Sequence, residues 1–225
     1  MIGLDLVHQL VLPHRMELFF NLISVIICVL LTTASIVSIT KYKLITKNEK
    51  WYVYYIIFIF LIEFTSYTML ILKFQNYAFL YPIYIAGEFF TVTGLYIKKL
   101  NLNKYYFLAT GLLSIFFLTV DRIFGQYQYN DYSKAVSNII MTVLIGYSLI
   151  QDIRNIRNKS SFQLIDKIFF LYFTVSIFIF IFQNQLIAFP KDYFTSIWVI
   201  NNLMSCMLYS LFIYTFFKKI TIKQQ

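Results

Sequence analysis

Glu63 and Glu88 are the two ionisable side chains that fall well inside long apolar runs of this 225-residue chain. Glu63 precedes the end of its run, at Leu72, by nine residues, and Glu88 follows the start of the next, at Tyr77, by eleven. At about 1.5 Å per helical residue, both lie roughly 14–17 Å from the turn between the runs, near the middle of a bilayer. That turn, residues 73–76, is short enough to make the two runs an antiparallel helical hairpin, so the carboxyls are expected to approach each other if their faces match. With the runs bounded as below, no Lys or Arg falls within any of them, and at least one acid is expected to be held neutral. Ser66 and Tyr67 share the expected face of Glu63, and Tyr84, Gly87, Thr91 and Gly94 lie along that of Glu88. Such acids serve either as proton- or ligand-binding groups or as interhelical hydrogen-bond donors that hold a bundle together, and both uses stay open here.

A second polar set is made of amides. Gln183, Asn184 and Gln185 close the sixth apolar run, and Asn201 and Asn202 stand inside the seventh. Buried amides need partners, so these side chains are candidates to line an outward-facing pocket with the two acids, or to bond one another across helices. The ligand- or proton-binding candidates are therefore Glu63, Glu88, Tyr67, Tyr84, Thr91, Gln183, Asn184, Asn201 and Asn202. No catalytic residue, metal ligand set or cofactor is expected. There is no Gly-rich phosphate loop, no H-E-x-x-H and no G-x-S-x-G. The only histidines, His8 and His14, sit in the N-terminal tail, and Cys28 and Cys206 read as small packing residues. The last run contains no Lys for a retinal Schiff base.

The elements that must position these groups are apolar helices. Sixty per cent of the residues are hydrophobic and 13% charged, against roughly 45–50% and ~25% in globular domains. Seven spans are expected, near 18–39, 51–72, 77–97, 105–120, 135–150, 168–189 and 193–217, with a tail at 1–17 that suggests a short interfacial helix and a basic tail at 218–225. The fourth and fifth are short and are expected to extend toward Ile123–Phe124 and Tyr132–Ser133. Trp51, Tyr52, Tyr77, Tyr105, Tyr106 and Tyr193 stand at span ends, where aromatic rings anchor at the headgroups. Connecting segments alternate in basic content: 5 Lys/Arg fall on one side and 14 on the other, which accounts for all 19. Basic loops stay cytoplasmic, so the N-terminus is expected outside and the C-terminus inside. Sorted this way, the net charge of +9 points to an anionic leaflet and not to nucleic acid. The expected fold is all-α: a polytopic seven-transmembrane-helix bundle, multi-pass in a bacterial inner (plasma) membrane, with loops too short for a soluble domain.

The hairpin "YYIIFIFLIEFTS" followed by "YPIYIAGEFFTVTGLYIKK" resembles a group of uncharacterised bacterial seven-span proteins often encoded near sensor histidine kinases. The resemblance implies a signalling association and no known activity. Three functions are expected in order. The first is a non-enzymatic sensory or accessory component that meets a membrane signalling partner at its basic face. The second is a proton-coupled small-molecule transporter, which a faint match between "FIFLIEF" and "FIFIFQN" would suit as an internal repeat. The third is a lipid-modifying membrane enzyme with two carboxyls as acid and base.

Overall fold

The computed structural model describes residues 14–74, 78–124, 129–154, 162–187 and 191–223. Those residues form seven α-helices: α1 (His14–Thr40), α2 (Lys50–Ile71), α3 (Leu80–Lys99), α4 (Tyr105–Phe124), α5 (Tyr129–Arg154), α6 (Gln163–Ile187) and α7 (Lys191–Lys223). A 3-10 turn at Tyr42–Leu44 follows α1. The expected lengthening of spans four and five occurs: α4 runs on through Ile123 and Phe124, and α5 begins ahead of Tyr132.

Helix ends are set by local chemistry. Thr46 donates both its hydroxyl and its backbone N–H to Glu49, at 2.8 and 3.1 Å, one arm of a capping box ahead of α2. At the end of α2, Lys73 takes a left-handed φ of 54°, and Phe74 N–H closes onto the Met69 carbonyl at 3.0 Å. At the end of α3, Asn101 does the same with φ 51°, and Leu102 N–H bonds the Ile97 carbonyl at 3.0 Å. Both are Schellman ends, which satisfy carbonyls that the helix leaves open. The second leaves Lys98 and Lys99 in the last turn of α3, where the helix dipole favours cations.

Each helix packs against the next in sequence, and α7 returns to α1, so the seven close into a ring. In addition α3 packs directly on α5, which leaves α4 outside that pair. The α2–α3 hairpin forms as expected, and Gly87 and Gly94 of α3 are points of close approach to α2. The Phe58 ring lies over Gly87 and the Trp51 ring over Gly94, so that a Cβ at either position would overlap the ring. Trp51 has little room to retreat, with the rings of Tyr54, Phe90 and Phe107 around it. Gly94→Leu is therefore expected to destabilise the bundle by about 1–3 kcal/mol, seen as a lower melting temperature of purified protein. A melting curve indistinguishable from wild type would mean that the ring yields freely.

Side-chain distribution is inverted relative to a water-soluble bundle. Leu22, Val25, Val29, Leu108, Val143 and Phe178 are exposed, whereas Lys134, Ser137, Asn138, Asp166 and Ser176 are buried. Five helices are long and apolar enough to cross a membrane: α1, α2, α5, α6 and α7, with described windows Leu18–Thr40, Lys50–Ile71, Tyr132–Arg154, Gln163–Gln183 and Thr195–Lys218. This is the make-up of a helical membrane protein. Of the other two helices, α4 contributes a shorter apolar stretch, Tyr105–Val120, and α3 carries Glu88, Lys98 and Lys99. Many hydroxyls that would otherwise face hydrocarbon bond the carbonyl one turn back, as Thr32, Thr65, Thr68 and Thr174 do.

Three expectations are corrected. Lys134, counted with the connecting segment 121–134, stands inside α5 and is buried. Asp166, counted with segment 151–167, lies in the first turn of α6 with no exposed surface. Tyr52 is no interfacial anchor either: it is buried and stacks on Phe162 at 4.5 Å between centroids. Tyr105 and Tyr106 are exposed, as anchors would be. Of the tail 1–17 with its expected interfacial helix, residues 1–13, His8 among them, lie outside the described residues, and residues 14–17 open α1.

Candidate functional site: two charged nodes joining α3 to α5

The first node is built on Glu88. Its carboxylate forms an ion pair with Lys134 of α5, and both side chains are 1% exposed. Tyr84, one turn earlier on α3, donates its hydroxyl to Glu88 Oε1 at 3.0 Å and accepts from Lys134 Nζ at 3.2 Å. The ammonium also lies 4.3 Å from the centre of the Tyr84 ring. Every charged atom here has a partner, which is the condition for burying ions without a large penalty. Tyr172 of α6 is a neighbour of the Tyr84 hydroxyl, and Ser205 of α7 is a neighbour of Tyr172. Polar side chains thus succeed one another from Lys134 through Glu88 and Tyr84 to Tyr172 and Ser205, on four helices.

The second node lies at the other end of the α3–α5 contact. Lys99 Nζ bonds Asp152 of α5 and Asp166 of α6, each at 2.6 Å. The hydroxyls of Tyr52 and Tyr96 both donate to Asp166 Oδ1, at 2.5 and 2.6 Å. One wholly buried carboxylate therefore joins α2, α3 and α6, and the lysine carries the link on to α5. Burial works to lower the Lys99 pKa, but Asp166, with Asp152 behind it, outweighs burial and holds the ammonium above its ordinary value of 10.5. A raised lysine pKa contributes stability that is complete below the unfolded value and disappears as pH rises through the folded one. The gap in melting temperature between wild type and Lys99→Gln is thus expected to stay constant from pH 7 to about 10 and to close only above the ordinary lysine range. A gap that closes by pH 9 would show that Lys99 is not held this way.

Glu88 and Lys99 are eleven residues apart on α3, about 16 Å of rise. The polarity is reversed between them: α3 supplies the acid near its middle and the base at its C-terminal end. Sliding α3 against α5, or turning one over, would bring like charges together.

Of the sequence-derived candidates, Glu88 and Tyr84 meet in the first node. Glu63 does not join them. The face of α2 that meets α3 is marked by Trp51 and Phe58, and Glu63 lies five residues, about 140°, round from Phe58. No hydrogen bond or ion pair involves Glu63 among the described residues, although Tyr67, Tyr172 and Tyr209 lie within its electrostatic range. The expectation that Glu88 faces a second carboxylate without a cation is thereby overturned. Thr91 donates its hydroxyl to the backbone carbonyls of Gly87 and Glu88. Gln183, Asn201 and Asn202 are buried on α6 and α7, and Ser205 donates its hydroxyl to the Asn201 backbone carbonyl at 3.2 Å. The side chain of Asn184 lies outside the described residues. Lys134, Asp152, Asp166, Lys99, Tyr52 and Tyr96 were missed. Lys134, Asn138, Met141, Ile145, Ser148 and Asp152 recur at three- and four-residue spacing, and that helical stripe was the signal that would have placed Lys134 and Asp152 on one face. Comparison with protein-family models, curated proteins and solved structures found no match to this chain.

Proposed function

We propose that this is a seven-span protein of a bacterial inner membrane, N-terminus outside and C-terminus cytoplasmic, acting as a non-enzymatic sensory or accessory component. In this reading the α3–α5–α6 network carries a change of state to a signalling partner at the basic face. One observation carries it: α3 bears two oppositely polarised nodes, the acid Glu88 near its middle and the base Lys99 at its C-terminal end, each closed by α5. A shift of α3 that breaks one node strains the other, which is how a bundle links events at its two faces. The charge sorting of the loops supports the orientation, and it sharpens once Lys134 is moved from a loop into α5, because the sparse side loses a base. The hairpin's resemblance to proteins encoded near sensor kinases is the reason to seek a kinase partner. Crosslinking in native membranes, followed by pulldown of tagged chain, is expected to recover a membrane kinase with wild type and to lose it, or its regulated output, with Lys99→Gln. Equal recovery and equal output would remove the network from the mechanism. A C-terminal alkaline phosphatase fusion that is active, which requires export, would overturn the orientation.

A second reading, proton-coupled transport, is favoured by the chain from Lys134 through Glu88, Tyr84 and Tyr172 to Ser205, since carboxylate and phenol groups in contact can relay protons. Proteoliposomes whose interior pH does not respond to any tested solute gradient would count against it.

A further inference from the structure

Four buried amides stand on α5, α6 and α7: Asn138 one helical turn beyond Lys134, Gln183 on α6, and Asn201 and Asn202 on α7. Phe180 of α6 and Trp198 of α7 meet edge to face, ring centroids 6.0 Å apart. In an antiparallel pair, that contact levels Ser176 with Asn202, and it puts Gln183 one turn nearer the α6–α7 turn than the ring pair. Asn201 and Asn202 stand one turn deeper. Asn138 of α5 joins them at the level of Ser176, to which its amide donates at 2.8 Å. Gln183, Asn201 and Asn202 are only 9%, 8% and 5% exposed, and Asn138 not at all. Yet Gln183 Oε1, Asn201 Oδ1, Asn202 Nδ2 and Asn138 Oδ1 have no hydrogen-bond partner among the described residues. An orphaned buried polar atom costs about 1–3 kcal/mol, and native proteins leave few of them unanswered. Four in one region of three adjoining helices point to an occupant.

The chemistry of the set limits that occupant. None of the four side chains is charged, so an ion would meet no countercharge at this depth. Each amide end can present either a donor or an acceptor, so the occupant must offer both. The rings of Phe180 and Trp198 supply apolar wall. We propose that Gln183, Asn201, Asn202 and Asn138 form a binding site for a small uncharged molecule carrying hydroxyl or carboxamide groups. The site rests on the sensory reading only for what its occupation would trigger; binding is a separate measurement.

The test uses the full chain in nanodiscs with two probes, glycerol and acetamide. Saturation-transfer NMR is expected to detect at least one of them on wild type above empty nanodiscs, with the signal reduced roughly tenfold or more in Gln183→Leu/Asn202→Leu. No transfer to either probe, or equal transfer to the variant, overturns the site. Should the leucine variant fail to fold, cysteine accessibility decides. With Cys28 and Cys206 changed to alanine, Asn202→Cys is expected to react with a membrane-impermeant methanethiosulfonate from the N-terminal side, and glycerol or acetamide is expected to slow the reaction. Reaction that neither probe slows means hydration only, and no reaction means closed packing; both overturn the proposal. Neither assay reads a partner, so a failed pulldown leaves this result standing, and the reverse holds too.

Discussion

Lys134→Met is expected to lower the stability of the bundle by about 3–5 kcal/mol, because it leaves Glu88 buried and charged with only a tyrosine hydroxyl beside it. For a chain of this size that corresponds to a fall in melting temperature of roughly 10 °C. Glu88→Gln strands the ammonium instead and is expected to cost a comparable amount. The pair of changes together, Lys134→Met with Glu88→Gln, removes both charges and is expected to cost less than Lys134→Met alone. That non-additivity is the signature of direct contact, and a double-mutant cycle on purified protein measures it. Lys134→Met within about 0.5 kcal/mol of wild type, the range of an exposed substitution, would show that water reaches the pair. Seating a cation in apolar surroundings is otherwise so costly that its retention here requires the partner.

Asp166→Ala is the second large effect, expected at about 3 kcal/mol or more. One change takes the acceptor from Tyr52 and Tyr96 and one of the two carboxylates from Lys99. Asp166→Asn keeps an oxygen for the tyrosines while removing the charge, and is expected to fall between wild type and Asp166→Ala. Tyr52→Phe and Tyr96→Phe are expected to cost about 1–2 kcal/mol each in the wild-type background and much less once Asp166 is alanine, since each then loses a bond already gone. If the three changes simply add, the hydroxyls are not bonding this carboxylate. Because Asp166 holds α2, α3 and α6 at once, the sensory reading proposed above expects the same variants to disturb signalling output more than Gly94→Leu does at equal loss of stability.

Seven helices were legible in the chain because apolar runs of span length leave little else for the backbone to do, and the short 73–76 segment dictated the α2–α3 hairpin. Gly87 and Gly94 could be recognised as points of close approach from their seven-residue spacing on one face. Lys134 and Asp166 were not legible as interior groups. Each stands within a few residues of a helix end, where a charged side chain ordinarily marks the boundary of a run, and hydropathy gives a lysine the same value whether it faces water or a carboxylate. Glu63 and Glu88 share a depth, but depth says nothing of azimuth, and 140° of rotation separates Glu63 from the face that meets α3.

Composition and the order of polar and apolar residues, by themselves, determined that this protein is helical, that its surface is greasy, and that its bases gather between alternate helices. These are local properties, decided residue by residue through transfer to an apolar solvent and hydrogen bonding within each helix. Which acid meets which base was decided only by tertiary structure. Lys134 finds Glu88 across 46 residues and Tyr52 finds Asp166 across 114. Such pairs depend on the rotation and neighbour order of whole helices, and those are settled by the sum of packing over the entire bundle.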